Sequence, residues 1–316
     1  MLKMMCKNYF LGKKQLAPIL IILNKRPSMT IKTFLKIPLV LIENILFSLF
    51  PKFREIIEKY IYNPYQFNDK HLEYSKKQFD DFLQKVGGIN SIKDKVLLEL
   101  GPGGSIGFGI LALKNGARKY YAIENGQHSF ITPGQIKSYK KLLDNNTLLI
   151  NKFFNKKNEI YTYNPQMVEF VKINQNSKYS IANNSVDLIY SCAVLEHVHN
   201  LELCFQEMTR VLELGGIMNH QVDLRDHVFS QKKLWFLNIS DFWFNALFKN
   251  TGEYVNRKRL DFYEYLANKH NLKITNLEKN IIFKEAIPKN LIKKYPNKDL
   301  QTLSFNMVLI KKQCAE

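Results

Sequence analysis

A glycine-rich loop directly after an apolar run is the strongest candidate for a ligand-binding feature. The run Lys95–Leu100 (KVLLEL) is typical of a buried strand, and residues 101–105 continue as GPGGS. Glycines let the backbone turn sharply and approach a ligand closely, and a helix that begins after such a loop offers free N–H groups. Dinucleotide-binding proteins place a third glycine where Ile106 stands, so the loop favours another kind of nucleotide-like ligand.

Two acidic residues flank this loop and a neighbouring strand. Glu99 lies two residues before Gly101, and Glu124 follows Tyr120–Ile123 (YYAI), which we predict as the second strand. A carboxylate at the end of this strand can accept hydrogen bonds from both hydroxyls of a ribose. The pair therefore predicts a ligand that contains a ribose.

Histidine and aspartate residues that could move a proton are concentrated after the predicted fifth strand. We predict His227 as a general base toward a hydroxyl, because imidazole titrates near neutral pH. Asp223 or Asp226 would orient it, and His197 is the second candidate. His220 lies on the strand itself and could instead be a core histidine with its hydrogen bonds satisfied. No ligand spacing specifies a metal, so we predict no metal site.

Short apolar runs alternate with helical patterns from residue 86 onward, which predicts an α/β domain with a mostly parallel sheet flanked by helices. Gly116 marks the end of a helix that follows the glycine loop. We interpret residues 144–166 as an irregular surface insertion rich in Asn. The predicted strands are 95–100, 120–123, 168–173, 186–191, 217–222, 272–277 and 303–311, and the predicted helices include 106–115, 201–212 and 257–269.

Three motifs in this order resemble class I S-adenosylmethionine-dependent methyltransferases. The first is the loop that Glu99 introduces, similar to the family's acid-x-Gly-x-Gly-x-Gly motif. The second, from Asn184 to Val198, resembles the strand that runs into a "LEH" turn, and the third, from Arg210 to Gly216, resembles "RVLKPGG". The resemblance covers residues 86–316. It implies a Rossmann-like doubly wound mixed sheet of seven strands, the last antiparallel.

The resemblance also implies where S-adenosyl-L-methionine would bind. The residues that it assigns to the cofactor are Glu99, Gly101, Gly103, Glu124, Gln175, Asn176 and Ser191. Glu99 and the two glycines would shape the loop around the amino-acid end of the cofactor, and Glu124 would hold the ribose. At 175 and 176 an amide replaces the carboxylate that usually contacts adenine, and Ser105 replaces the third glycine of the loop.

The first part of the chain is basic and apolar. The first 42 residues carry eight basic side chains and no acidic one, and no stretch is long and apolar enough for a spanning helix. We predict a helical extension over residues 1–85 and the methyltransferase domain over 86–316. Helices that cover the domain are one interpretation of the extension, and peripheral contact of residues 1–50 with an anionic membrane is the other.

Composition restricts the partners and the compartment. With 46% hydrophobic and 23% charged residues the chain is an ordinary globular one, and its four cysteines are too far apart for a disulfide framework or a Cys-based zinc site. This favours the cytoplasm. The net charge of +18 would suit anionic partners, but only seven of the 46 basic residues are arginine, which disfavours specific recognition of nucleic acid.

The sequence therefore predicts an enzyme that transfers a methyl group to a small-molecule or glycan-like acceptor, with oxygen favoured by the His- and Asp-rich stretch after the fifth strand. The Asn-Pro-Pro-Tyr signature of amino-group methylation is absent. Two alternatives remain open. One is an RNA methyltransferase or RNA-binding protein on the same fold, suggested by the charge. The other is a cofactor-binding partner protein without catalysis, suggested by the amide at 175 or 176 and by Ser105.

Overall fold

The computed structural model describes residues 31–50, 69–124, 131–171, 173, 178–228, 233–251 and 254–312. The contacts divide the chain into two compact units. The sheet unit consists of the described residues within 64–224 and 258–316, and the helical unit consists of those within 1–63 and 225–257. The boundary that the sequence suggested between residues 85 and 86 stays a prediction.

The sheet unit is built on a seven-stranded mixed sheet in the order β5-β2-β1-β6-β7-β9-β8. Its strands are parallel except β9, which runs antiparallel to both β7 and β8. The predicted Rossmann-like fold with an antiparallel last strand is thus confirmed. The strands are β1 (Val96–Leu100), β2 (Lys119–Ile123), β5 (Val168–Val171), β6 (Val186–Cys192), β7 (Leu212–Asp223), β8 (Leu272–Ile282) and β9 (Thr302–Lys311), beside a separate hairpin of β3 (Phe154–Lys157) and β4 (Ile160–Tyr163).

Helices cover both faces of this sheet and bury one hydrophobic cluster on each. On one face Phe108 stacks on Tyr190 with ring centroids 4.3 Å apart, and Phe82 meets both rings edge-on. On the other face Phe205, Tyr263 and neighbouring side chains close the core. The helices are α1 (Ile31–Leu49), α2 (Asp69–Val86), α3 (Gly107–Lys114), α4 (Pro133–Leu142), α5 (Thr147–Phe153), α6 (Leu201–Val211), α7 (Trp235–Asn238), α8 (Asp241–Phe248), α9 (Leu260–Lys269) and α10 (Lys289–Lys294).

The fifth strand of the sequence prediction is longer than expected. It begins at Leu212, and the Gly215-Gly216 pair lies within it as an irregularity, since Val186 pairs with Leu212 whereas Leu188 already pairs with Ile217. Gly215 has a φ of +76°, a left-handed conformation that suits glycine. The turn signal in the sequence therefore marks a bulge and not the start of the strand.

The predicted helix over 257–269 begins three residues late, at Leu260. Arg259 is extended and only 2% exposed, and its guanidinium donates to the main-chain carbonyl oxygens of Leu224, at 2.9 Å, and of Thr302. These carbonyls lie at the end of β7 and the start of β9. Arg259 therefore joins the carboxyl end of β7 to the amino end of β9 from inside the sheet unit.

The expectation of an irregular insertion over 144–166 is wrong in part. Asn146 caps α5, and its side-chain oxygen accepts from the N–H groups of Leu148 and Leu149. The hairpin of β3 and β4 follows at once, with Phe153 and Phe154 buried at the junction. The Asn-rich composition thus supplies caps and turns, which concealed the short elements.

In the helical unit, Asn44 on α1 caps the end of α8. Its side-chain amide donates to the carbonyl of Ala246 at 2.8 Å, and its oxygen accepts from the N–H of Asn250 at 2.8 Å. Phe244, Leu247 and Phe248 on α8 are buried. None of the helices in the described part of the chain could span a bilayer.

Candidate active site

The glycine loop joins β1 to α3 at the carboxyl edge of the parallel strands, where doubly wound sheets bind their ligands. Gly101 and Gly103 have φ angles of +61° and +68°, which L-residues rarely adopt. A β-carbon at Gly101 would lie 2.6 Å from Cγ2 of Val194, in the segment that follows β6. Gly101 is therefore required both by the backbone conformation and by this close approach.

Glu124 contacts the glycine loop. It follows β2, and its Oε2 accepts from the N–H of Gly103 at 2.9 Å. The far side of the loop is held by Gln135, whose amide donates to the carbonyl of Gly104 at 2.7 Å. The half-exposed carboxylate of Glu124 therefore lies beside the main-chain amides of the glycine loop.

The side chain of Glu99 is fixed by a hydrogen bond from a tyrosine on β2. The Tyr120 hydroxyl donates to Oε2 of the buried Glu99 at 2.5 Å. Burial, and next the charge of Glu99, raise the pKa of Tyr120 well above its usual range, so the hydroxyl remains a donor. A β-carbon at Gly109 would lie 2.5 Å from the Tyr120 ring, so α3 can pack on this ring only with glycine there.

Ser191 and His220 form a buried pair at the ends of β6 and β7. Ser191 Oγ and His220 Nδ1 lie 2.8 Å apart, and both residues are at most 1% exposed. Burial lowers the pKa of His220 to about 3, so the ring is neutral at physiological pH. His220 is therefore the core histidine that the sequence allowed, although its Nε2 has no hydrogen-bond partner within the part of the chain that the structure describes.

The "LEH" segment is a short 3-10 turn, Leu195–His197, and it is tied to the end of β7. Oε1 of the fully buried Glu196 accepts from the N–H of Asp223 at 3.2 Å. His197 and Asp223 are both half-buried. This hydrogen bond joins the turn after β6 to the last residue of β7.

His227 belongs to the helical unit. Its neighbour Asp226 is buried and accepts from the N–H of Val228 at 2.9 Å. His227 and Asp226 line a cavity of about 170 Å³. A ligand pocket usually has about 300–1,000 Å³, so this cavity is small for a substrate. Its other lining residues are Phe236, Phe244, Phe248 and Val255.

The described residues thus bring most of the predicted cofactor set to one edge of the sheet. Glu99, Gly101, Gly103, Glu124 and Ser191 lie at the carboxyl ends of β1, β2 and β6. Gln175 and Asn176 lie outside the described residues. The roles of the whole set, and of the catalytic candidates, stay predictions.

Sequence reasoning missed three supporting residues. Tyr120 was interpreted only as part of a strand, and nothing in its spacing from Glu99 shows that the two meet. Gln135 could have been found, because Thr132 to Gln135 form the Thr-x-x-Gln capping box. Val194 depends on the turn after β6, where Ala193 has a φ of +54°, and no sequence signal marks that turn.

Comparison with known proteins agrees with the motifs. Residues 98–219 match the family model described as "Methyltransferase domain". Comparison with curated proteins finds no match. The match to the family model spans β1 to β7, which includes the glycine loop, Glu124, Ser191 and Glu196.

Solved structures resemble the chain only distantly. A candidate methyltransferase from Bacillus halodurans is 14% identical, with 75% of this chain and 100% of that chain covered and a TM-score of 0.42. An S-adenosylmethionine-dependent methyltransferase from Mesorhizobium loti is 11% identical, with 73% and 96% covered and a TM-score of 0.41. A candidate sarcosine dimethylglycine methyltransferase from Galdieria sulphuraria is 16% identical, with 76% and 86% covered and a TM-score of 0.43. These likenesses carry no argument about activity or acceptor.

The residues at the carboxyl edge of the sheet fit S-adenosylmethionine. The loop has two glycines in left-handed conformations, and the Glu124 carboxylate that already accepts from the Gly103 N–H has the chemistry to accept from ribose hydroxyls. Together with the match to the family model, this identifies residues 98–219 as an S-adenosylmethionine-dependent methyltransferase domain.

Proposed function

We propose that this enzyme methylates an oxygen of a small-molecule or glycan-like acceptor. The observation that supports the proposal is the hydrogen bond between Glu196 and the N–H of Asp223, which joins the His197 turn to the end of β7. An imidazole and a carboxylate at the carboxyl edge can orient a hydroxyl and take its proton. His220 is unsuited to this task, because burial lowers its pKa to about 3.

When bound, the cofactor supplies a methyl group on a positively charged sulfur, which leaves as a neutral thioether once the methyl has moved. The residues of the chain have other tasks. The loop of Gly101 and Gly103 and the Glu124 carboxylate bind and orient, and the acceptor oxygen must lie in line with the bond that breaks. His197, next to the Glu196 that accepts from the N–H of Asp223, is one candidate to receive the hydroxyl proton. His227, the first candidate from the sequence, is the other.

Cofactor binding is tested first, by calorimetric titration with S-adenosylmethionine and with its demethylated product. Glu124→Ala should weaken binding by about 100-fold, since it removes two charge-assisted hydrogen bonds to the ribose. Glu159→Ala is the matched control, because this glutamate is highly exposed on the β3–β4 turn, where it forms an ion pair with the exposed Lys156. Equal affinity of the two variants would remove Glu124 from the site.

The acceptor is tested next, with labelled methyl groups and three sets of compounds: small alcohols and phenols, glycans, and RNA. His197→Ala and His227→Ala are compared in the same assay. Turnover on hydroxyl compounds that either variant reduces at least tenfold, with cofactor affinity kept, supports the proposal. Turnover only on RNA, or only on amines, contradicts it.

We further propose a cytoplasmic location. The described cysteines Cys192 and Cys204 are free and buried, as suits a reducing compartment. Cys192 Sγ donates to the side-chain oxygen of Gln221 at 3.0 Å, and burial raises the pKa of Cys204 to about 11. Both are therefore expected to remain thiols.

A further inference from the structure

The outer side of α1 is an aliphatic stripe. Its members are spaced by three, three and four residues, which places them on one face of a helix. They are between 47% and 66% exposed. The stripe consists of Leu39, Ile42, Ile45 and Leu49.

The inner side of the same helix already has its partners. Asn44 and Phe47 are both 6% exposed, and the Asn44 side-chain amide forms hydrogen bonds with the end of α8. The large aliphatic side chains of the stripe are therefore not needed to hold α1 in the helical unit. A set of adjoining exposed apolar side chains marks an interaction surface.

Two large aromatic side chains are also exposed in the helical unit. Phe242 and Trp243, in the first turn of α8, are 72% and 52% exposed, while Phe244 beside them is buried. Because Phe244 and Phe248 already anchor α8, the first two rings are not needed for its packing. Tryptophan is enriched where proteins meet the headgroup region of a membrane.

The positive charge of the first 42 residues favours an anionic partner for the stripe. The first 42 residues carry eight basic side chains and no acidic one, and the whole chain has a net charge of +18. A second copy of the chain would bring two such basic segments together, and like charges repel. An anionic lipid surface satisfies both the apolar stripe and the charge.

We propose that the aliphatic stripe of α1, together with Phe242 and Trp243, docks on an anionic phospholipid membrane. The stripe enters the boundary between headgroups and acyl chains, and the net positive charge of the chain attracts it to the lipid phosphates. This inference goes beyond the proposed function and does not depend on the acceptor. It predicts an enzyme that works on the membrane surface.

Trp243 provides the direct test. The chain has only two tryptophans, so Trp235→Phe leaves Trp243 as the single reporter in the full-length protein. We expect its emission to shift to the blue when phosphatidylcholine vesicles that contain phosphatidylglycerol are added, and bromine-labelled acyl chains to quench it. Pure phosphatidylcholine should give a much smaller change. Because α1 is untouched in this variant, the result does not depend on the stability of a stripe variant.

The stripe is tested by vesicle sedimentation of the triple variant Leu39→Ser, Ile42→Ser, Leu49→Ser. These side chains are exposed, so the fold should survive, and unchanged cofactor affinity provides a check that separates this test from that of the proposed function. We expect partition onto anionic vesicles to fall at least about tenfold. The matched control is Leu148→Ser in the sheet unit, at a leucine 82% exposed, which should partition as the unchanged protein does.

Three results would overturn the proposal. The first is an emission wavelength of Trp243 that does not change when anionic vesicles are added. The second is vesicle binding that the triple variant retains and that salt abolishes, which would assign binding to the basic segment alone. The third is a concentration-dependent dimer in sedimentation velocity that the triple variant abolishes, which would make the stripe an interface between copies of the chain.

Discussion

Replacing Gly101 by alanine tests whether the glycine loop is shaped by close packing as well as by backbone conformation. Its φ of +61° costs an L-residue about 1–2 kcal/mol. The added methyl would also lie 2.6 Å from Val194 Cγ2 and 3.0 Å from Cγ1, so the buried valine must shift. Overpacking of this kind costs about 1–3 kcal/mol. We therefore expect Gly101→Ala to lower the free energy of unfolding by about 2–5 kcal/mol.

Gly215→Ala is the matched control for the backbone part. Its φ is +76°, but a β-carbon there would meet nothing within 4 Å. It should cost about 1–2 kcal/mol, and the difference between the two variants isolates the clash with Val194. The same clash should displace the loop from Glu124 and weaken cofactor binding in Gly101→Ala only.

Urea unfolding followed by circular dichroism measures the stabilities, and calorimetry measures the cofactor affinity. A double-mutant cycle adds the direct check: Val194→Ala should restore part of the stability lost in Gly101→Ala, with a coupling of about 1–2 kcal/mol. Equal costs for Gly101→Ala and Gly215→Ala, together with no coupling to Val194, would refute the packing argument and leave conformation alone as the reason for the glycine.

Three further outcomes follow from buried polar groups. Tyr120→Phe should cost about 1–3 kcal/mol in urea unfolding, because the buried Glu99 carboxylate loses a donor; a cost near zero would contradict this. Arg259→Met should cost at least about 3 kcal/mol in the same assay, because main-chain carbonyls at the edge of the sheet lose their donor. His220 should make the fold acid-sensitive. Its pKa is lowered from 6.5 to about 3, so below pH 6.5 the unfolded chain binds a proton that the folded one does not, and the stability is lost as the pH falls through this window. Between pH 6.5 and pH 4 the free energy of unfolding should fall by about 3 kcal/mol, and this loss should be missing in His220→Gln. Equal pH profiles of stability for the two proteins would refute the burial argument.

The sequence predicted the fold because its local signals agree with one another. The strand before the glycine loop, the acid at Glu124 and the "LEH" segment each occur where a doubly wound sheet requires them, and the number of strands and the antiparallel β9 followed from the family resemblance. Element ends were less predictable. The Gly215-Gly216 pair gives the same signal for a turn and for a bulge, and only pairing with β6 distinguishes them.

The contacts behind the site could not be predicted, because they join residues far apart in sequence. Whether Tyr120 reaches Glu99 depends on the register of β1 and β2, in which Glu99 is level with Ala122, and on a glycine at 109 that leaves room for the ring. The approach of Val194 to Gly101 depends on the turn at Ala193, which has no sequence signature.

The burial of a histidine determines whether its ring can act as a general base, and burial cannot be read from the residue type. His220 and His197 lie after neighbouring strands, and both resemble candidate bases in the sequence. The structure places His220 at 1% exposure beside Ser191, where desolvation keeps the ring neutral far below physiological pH. His197 is half-buried on a turn that Glu196 fastens to Asp223. A base must exchange its proton with its surroundings, and the half-buried ring of His197 is better suited to this than the buried ring of His220. His197 and His227 therefore stay the candidates to test, and single substitutions can separate them.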